Sequence, residues 1–277
     1  MHPILFTLPS FQFLSHEWGP FTLNSYGLMM ALSFALSLPL LARDTGRLLA
    51  PKVGIRASEG FQKTWDMFVW VILSSLFGGR LFYVLENHEE FEGQWLDAFK
   101  LWQGGLVFYG GLLGALVAAW LWMRREKWPV VFFFDIAAPY ILLGHAIGRV
   151  GCYLEGCCAG LVDDRCGVVF PGAGDGLPRL PTQLWEMVGD FLLFLLLLWT
   201  RGKVLRRPGV SFALYGLTYG LLRFVIEFWR RDGSVHTLGV FLSPSHALSA
   251  FLALAAAGYL VWAYRRPLGP PKDARRS

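Results

Sequence analysis

The sequence predicts an all-α membrane protein of seven transmembrane helices, with the N-terminus outside (periplasmic) and the C-terminus cytoplasmic. Three observations carry that prediction. Of 277 residues, 55% are hydrophobic and only 16% charged, against roughly 25% charged in a soluble domain. The apolar residues gather in seven blocks, each close to the ~20 residues that a helix needs to cross the hydrocarbon. The 23 Phe and 12 Trp suit lipid and its interface, and the mean hydropathy of +0.44 agrees.

Residues 1–24 contain Phe6, Phe11, Phe13, Leu14, Trp18 and Phe21 but are too short and broken to span. They are expected to lie at the membrane interface as an amphipathic segment. Met1 to Ser10 lack a basic n-region and a small-residue cleavage site, so no signal peptide is expected and the spans direct insertion. The spans are read at 25–41, 65–85, 106–123, 131–149, 183–200, 210–229 and 240–264. Together they make one transmembrane domain over 25–264, with its longest outer connection at 151–181 and a disordered cytoplasmic tail at 265–277. No soluble domain is visible.

Basic residues set the orientation, because cytoplasmic loops carry the excess of Lys and Arg. Seventeen of the 25 fall on alternate connections: Arg43 to Lys63, Arg124 to Lys127, Arg201 to Arg207 and Arg265 to Arg276. The opposite side carries the acidic run Glu86-Asn87-His88-Glu89-Glu90-Phe91-Glu92. The net charge of +5 is thereby explained by topology and gives no reason to expect a nucleic-acid partner.

Eight basic residues break the rule: Arg80, Lys100, Arg149, Arg165, Arg179, Arg223, Arg230 and Arg231. Arg80, Arg149 and Arg223 sit in or near apolar segments, where an arginine costs roughly 2.5 kcal/mol or more unless compensated. Several arginines on one side of a membrane point to an anionic ligand, and guanidinium binds phosphate through two parallel hydrogen bonds. The central stretch runs from Leu143 to Gly160 and contains His145, Gly148-Arg149-Val150-Gly151-Cys152 and Cys157-Cys158. Its glycines let backbone approach a ligand or another helix. The competing reading of Arg149 is a side chain that snorkels at a helix end.

Four other places carry polar chemistry. Tyr26-Gly27 opens the first span, as an interface anchor or as part of a site. Trp102-Gln103-Gly104-Gly105 and Tyr109-Gly110-Gly111 either pack helices through small residues or hold a hydroxyl toward a cavity. In Pro181-Thr182-Gln183-Leu184-Trp185-Glu186, Gln183 and Glu186 share a helical face, and Glu186 also suits a helix start. Arg223 and Glu227, four apart, share another face and form either a structural pair or a phosphate grip with its orienting carboxylate. The spacing of Cys152, Cys157, Cys158 and Cys166 matches no zinc pattern, so no metal or other cofactor is expected. A disulfide to Cys166, buried thiols and a catalytic thiol remain open.

These stretches, in this order, resemble the prolipoprotein diacylglyceryl transferase family over nearly the whole chain, from Tyr26-Gly27 to Asp232. The resemblance rests on Gly79-Arg80, Trp102-Gln103-Gly104-Gly105, Gly110-Gly111, Gly148-Arg149-Val150-Gly151, Pro181-Thr182-Gln183-Leu184-Trp185-Glu186 and Arg223-Phe224-Val225-Ile226-Glu227-Phe228. It implies a multi-pass enzyme of the bacterial inner membrane. That enzyme moves sn-1,2-diacylglyceryl from phosphatidylglycerol to the lipobox cysteine of a prolipoprotein and releases glycerol-1-phosphate. Its partners would be phosphatidylglycerol, the lipobox segment and membrane lipid. Arg149 and Arg223 would stabilise the leaving phosphate, with Arg80 adding to the field and Glu227 holding Arg223. Tyr26, Gly151 and Glu186 would line the site. Four positions depart from the family pattern: Tyr109 stands for its usual histidine, Cys152 for an asparagine, Cys157 for a glutamate and Leu180 for a histidine. Tyr109 or His145 is then left to take the thiol's proton. Two alternatives stand beside this reading, a transferase of the same fold with another acceptor and a non-catalytic phospholipid-binding protein.

Overall fold

The computed structural model describes residues 3–9, 11–13, 16–18, 21–91, 93, 95–99, 105–170, 176–230, 236–237, 240–241 and 243–266. Trp102, Gln103, Gly104, Arg231, Asp232 and the expected tail beyond 266 lie outside them. Seven long helices account for most of what is described. They are α1 (Ser25–Asp44), α2 (Ala57–Glu86), α3 (Phe108–Arg125), α4 (Val130–Glu155), α5 (Thr182–Val204), α6 (Val210–Glu227) and α7 (Pro244–Arg265). Among the described residues, six are long and apolar enough to cross a membrane, α1 together with the turns that continue it to Val53. α3 has 18 residues and ends on Arg124 and Arg125, which lower its hydropathy. Large apolar side chains such as Trp70, Phe77, Trp199, Phe251 and Leu254 face outward, as the chain of a multi-pass membrane protein requires when its solvent is lipid.

The segment before α1 forms strands. Ile4–Leu8 pairs antiparallel with Phe21–Asn24, and Phe11–Phe13 pairs with His16–Trp18. The amide of Ser25 donates to the carbonyl of Pro3, which ties this ladder to the start of α1.

The chain forms two compact units. One is Leu40–Phe133. Within it α2 and α3 meet backbone to backbone: a Cβ on Gly78 would lie 2.4 Å from the carbonyl oxygen of Gly110, and one on Gly110 would lie 2.4 Å from that of Gly78. No side chain fits there, so Gly110-Gly111 packs helices through small residues. The other unit runs from the N-terminus to Pro39 and from Phe134 onward. Its centre is α4, which buries Ile136, Ala137, Ala138, Leu142 and Ala146. Asp135, also buried on α4, accepts hydrogen bonds from the amides of Gly209 (2.5 Å) and Phe212 (2.9 Å). These are orphan donors at the start of α6, and a carboxylate there suits the positive end of the helix dipole.

Candidate functional site

Four segments of the second unit bring charge together. α4 supplies Arg149, α5 supplies Glu186, and α6 with the turn beyond it supplies Arg223, Glu227 and Arg230. The start of α7 supplies Ser243 and His246. Glu186 is the hub. Its carboxylate, 1% exposed, takes Nε of Arg149 at 2.9 Å, Nη1 of Arg223 at 2.9 Å and Nη1 of Arg230 at 3.4 Å. Nη2 of Arg149 adds a second contact at 3.2 Å, so that guanidinium grips both carboxylate oxygens. Glu227, equally buried, pairs with Nη2 of Arg223 at 2.8 Å and lies 3.9 Å from Nε of Arg230.

Local sequence explains each placement. Arg223 and Glu227 are one turn apart on α6, and Arg230 follows in the turn that ends that helix. Ser243 caps α7: its hydroxyl accepts from the amide of His246 while His246 Nδ1 accepts from the amide of Ser243. The same hydroxyl donates to Glu227 at 2.7 Å. The cap of one helix therefore fixes the carboxylate that fixes Arg223.

Among the described residues, three guanidiniums converge on two carboxylates. Each guanidinium carries five N–H donors, whereas each carboxylate offers about four lone-pair sites. Asp190, one turn along α5 from Glu186, is 1% exposed, and neither of its oxygens has a hydrogen-bond partner among the described residues.

Gly151 faces α1, where a Cβ would come 3.0 Å from Met29 and 3.3 Å from Tyr26. That close approach seats Tyr26 beside the end of α4. Tyr26 lines an open pocket of about 360 Å³ with Asn24, Gly27, Glu155 and Cys157. His145 lies one turn before Arg149, its ring 5.3 Å from that of Tyr219.

Arg80 and Tyr109 belong to the other unit. Arg80 is buried, donates to the carbonyls of Ala98 (2.8 Å) and Gly105 (3.2 Å), and lies over the rings of Tyr83 and Phe91. Tyr109 is exposed, edge-on to Phe108.

The loop after α4 is held against the site. The carbonyl of Cys157 accepts from Gln183 at 2.6 Å and that of Cys158 from Thr182 at 3.3 Å. The amides of Gly160 and Leu161 donate to Leu180 and Trp229. The thiols of Cys152, Cys157 and Cys158 all lie within 4.8 Å of one another. A hydrogen bond from Cys152 pushes the Cys158 thiol down to about 5, and Arg230 and Arg149 add to that; burial pushes the Cys157 thiol up.

The family model described as prolipoprotein diacylglyceryl transferase matches residues 13–262. The chain belongs to the prolipoprotein diacylglyceryl transferase family. It is similar to relatives named phosphatidylglycerol–prolipoprotein diacylglyceryl transferase. One from Cupriavidus necator is 35% identical over 94% of this chain and 96% of its own length. Another, from Pseudoalteromonas atlantica, is 33% identical over 98% and 97%. One from Pseudomonas aeruginosa is 31% identical over 98% and 100%. In this member of the transferase family, the motifs that carry the resemblance fall on both units. Those with Arg149, Glu186, Arg223 and Glu227 meet in one cluster.

Several residues of that cluster escaped the sequence reading. Arg230 was visible as a basic residue against topology, three residues after Glu227. Asp190 has a signal too, a carboxylate four residues after Glu186 inside an apolar run. Ser243 and His246 are spaced as cap and third helical residue. The join between α7 and α6 is long-range and left no sequence signal.

Proposed function

We propose that this chain transfers the sn-1,2-diacylglyceryl group from phosphatidylglycerol to the lipobox cysteine of a prolipoprotein, releasing glycerol-1-phosphate. The observation that carries the assignment to this site is the convergence of Arg149, Arg223 and Arg230 on Glu186. The lipid phosphodiester is a monoanion, the kind of group that convergent guanidiniums bind through paired hydrogen bonds. When the thiolate sulfur attacks the glycerol carbon, the carbon–oxygen bond breaks and its electron pair leaves on the phosphate, which gains negative charge. Donors already in place, in a site of low dielectric, stabilise that charge without reorganising. Arg149 and Arg223 are the two groups assigned to the leaving phosphate. Glu186 and Glu227 orient them, and Arg230 completes the field.

Tyr26 and Gly151 shape the pocket beside the site. Arg80 donates to the carbonyls of Ala98 and of Gly105, which lies just before α3 and Tyr109. Tyr109 and His145 are the candidates for taking the thiol's proton. We read the chain as one seven-span domain over 25–264 of the bacterial inner membrane, with α3 as the seventh span. Residues 1–24 rest at the outer interface and the segment from 265 on faces the cytoplasm. The basic residues between alternate spans support that orientation. The charge cluster then faces the outer leaflet, where membrane lipid and the exported acceptor meet.

The test is a transfer assay with purified protein, phosphatidylglycerol and a lipobox peptide. A diacylglyceryl mass increment on the peptide's cysteine is expected. Consumption of phosphatidylglycerol without that adduct would replace the acceptor, a reading favoured by the changes at Tyr109, Cys152 and Cys157. Bound but unconsumed lipid would overturn the enzymatic reading.

A further inference from the structure

The end of α4 is closed by a Schellman motif. The amide of Gly156 (φ 84°) donates to the carbonyl of Tyr153, and the amide of Cys157 donates to that of Cys152. This 6→1 bond sets the residue five positions on over the one three before the cap, where an apolar contact is frequent. Here both residues are cysteines. The next residue, Cys158, is one of two described non-glycine residues at positive φ (61°), a conformation that disfavours a side chain. It turns the third thiol back onto the first two, and the three sulfurs lie within 4.8 Å of one another.

We propose that Cys152, Cys157 and Cys158 form a three-thiolate site for Zn(II) whose fourth position receives the prolipoprotein cysteine. Zn–S bonds of about 2.3 Å in a tetrahedron put sulfurs about 3.8 Å apart, inside the 4.8 Å within which the three thiols lie. Catalytic zinc keeps one open position beside three protein ligands. Cys157 borders the pocket that also contains Tyr26 and Glu155, about 360 Å³, so a peptide side chain entering that space would reach the cluster at Cys157. Glu155 Oε2 is buried without a hydrogen-bond partner among the described residues.

The site would solve the proton problem that Tyr109 poses. The substrate thiol would bind Zn(II) as thiolate, its proton passing to water. The sulfur lone pair forms the bond to the glycerol carbon, and the carbon–oxygen bond breaks with its pair on the departing phosphate. The thioether product is a weak ligand and leaves. No electron is exchanged with the metal, which is redox-inert. This inference rests on the transfer reading but is tested apart from it.

Full-length protein in detergent, purified with thiols reduced, is titrated with Zn(II) and, separately, with Co(II). One Zn(II) per chain is expected, and tetrahedral thiolate absorption is expected with Co(II). Cys152→Ser, Cys157→Ser and Cys158→Ser should each weaken Zn(II) binding by more than the roughly 10–100-fold that loss of an outer partner costs, while Cys166→Ser leaves it unchanged. Size-exclusion profiles report whether each variant is folded, and the metal titration of the unsubstituted protein stands without them. A lipobox peptide should shift the cobalt bands, and its Cys→Ser version should not. Sub-stoichiometric metal, a Cys152–Cys157 or Cys152–Cys158 disulfide in protein isolated from membranes under alkylating conditions, or bands indifferent to the peptide thiol would each overturn the proposal. Transfer that survives all three serines and full chelation would also sink it and leave the transferase reading intact. Metal with a peptide shift but no lipid transfer would sink that reading instead.

Discussion

Two buried arginine environments look alike in sequence and differ in what surrounds them. Arg80 and Arg223 both interrupt apolar helices beside glycines. Arg80 donates to the backbone carbonyls of Ala98 and Gly105 and stacks on Tyr83 and Phe91. Arg223 binds two carboxylates, which are themselves shared with Arg149 and Arg230. Carbonyls are fixed, neutral and part of the fold, so these two contacts tie Arg80 to the backbone. Guanidiniums that converge on shared carboxylates make a field, and a field can accept another anion. The difference teaches that an arginine within a span identifies a compensated charge, and the nature of the compensation identifies its use.

The largest effect expected is on the hub. Glu186→Gln leaves three guanidiniums facing a neutral amide. Breaking a buried pair by removing one partner destabilises by about 3–5 kcal/mol, so thermal unfolding in detergent should drop sharply. Phosphatidylglycerol should then raise the melting temperature more in this variant than in the unsubstituted protein. An equal increment in both would mean that the lipid phosphate does not reach the cluster.

Next come the clamps. Arg149→Ala and Arg223→Ala should each lower turnover in the transfer assay by roughly 10²–10³-fold, the loss for one donor aimed at developing charge. Near-normal turnover in either would end the phosphate-clamp assignment. Arg80→Ala sharpens the contrast. Its hydrogen bonds involve a charged group and are worth about 1.5–3 kcal/mol each, so its loss should appear mainly in the melting temperature. A variant with unchanged melting and abolished turnover would put Arg80 in the chemistry and erase the distinction.

Ser243→Ala should lose about 1 kcal/mol as a helix cap and release Glu227. Turnover should fall, while the residual turnover of Arg223→Ala is not lowered further by adding it; independent effects would separate the cap from the site.

The smallest effect is at the loop. Asp163 accepts from the amides of Cys166 and Arg165, which hold its carboxyl below the usual carboxylate range. A depressed folded-state value contributes above the unfolded value, near 3.9, and its contribution is lost as pH falls through the folded one. Hydrogen exchange at Cys166 should therefore quicken, relative to neighbouring amides, as pH drops below about 4. Asp163→Asn should abolish that dependence, and its persistence would assign the dependence to another group.

Much of this could be read from residue order. Span positions follow from apolar runs, and the α6 pair follows from spacing alone, since Arg223 and Glu227 are four apart. Helix ends were harder. The sequence reading stopped the fourth span at Arg149, because glycines and polar residues follow, yet α4 continues to Glu155 and carries Cys152 on its last turns. Sequence alone marks Glu186 as a helix-start group or a site wall. Its three arginine partners lie 37, 37 and 44 residues away, beyond what any local pattern encodes.

The sequence by itself determined the solvent, the helices, the family and the identity of the charged residues, because burial in lipid leaves few apolar patterns to choose from. Tertiary structure alone decided which charges meet. It set Glu186 among three guanidiniums, hung Glu227 on the cap of α7 and folded three thiols together at the end of α4. Those outcomes depend on where helices distant in sequence cross, and a one-dimensional pattern does not hold that distance.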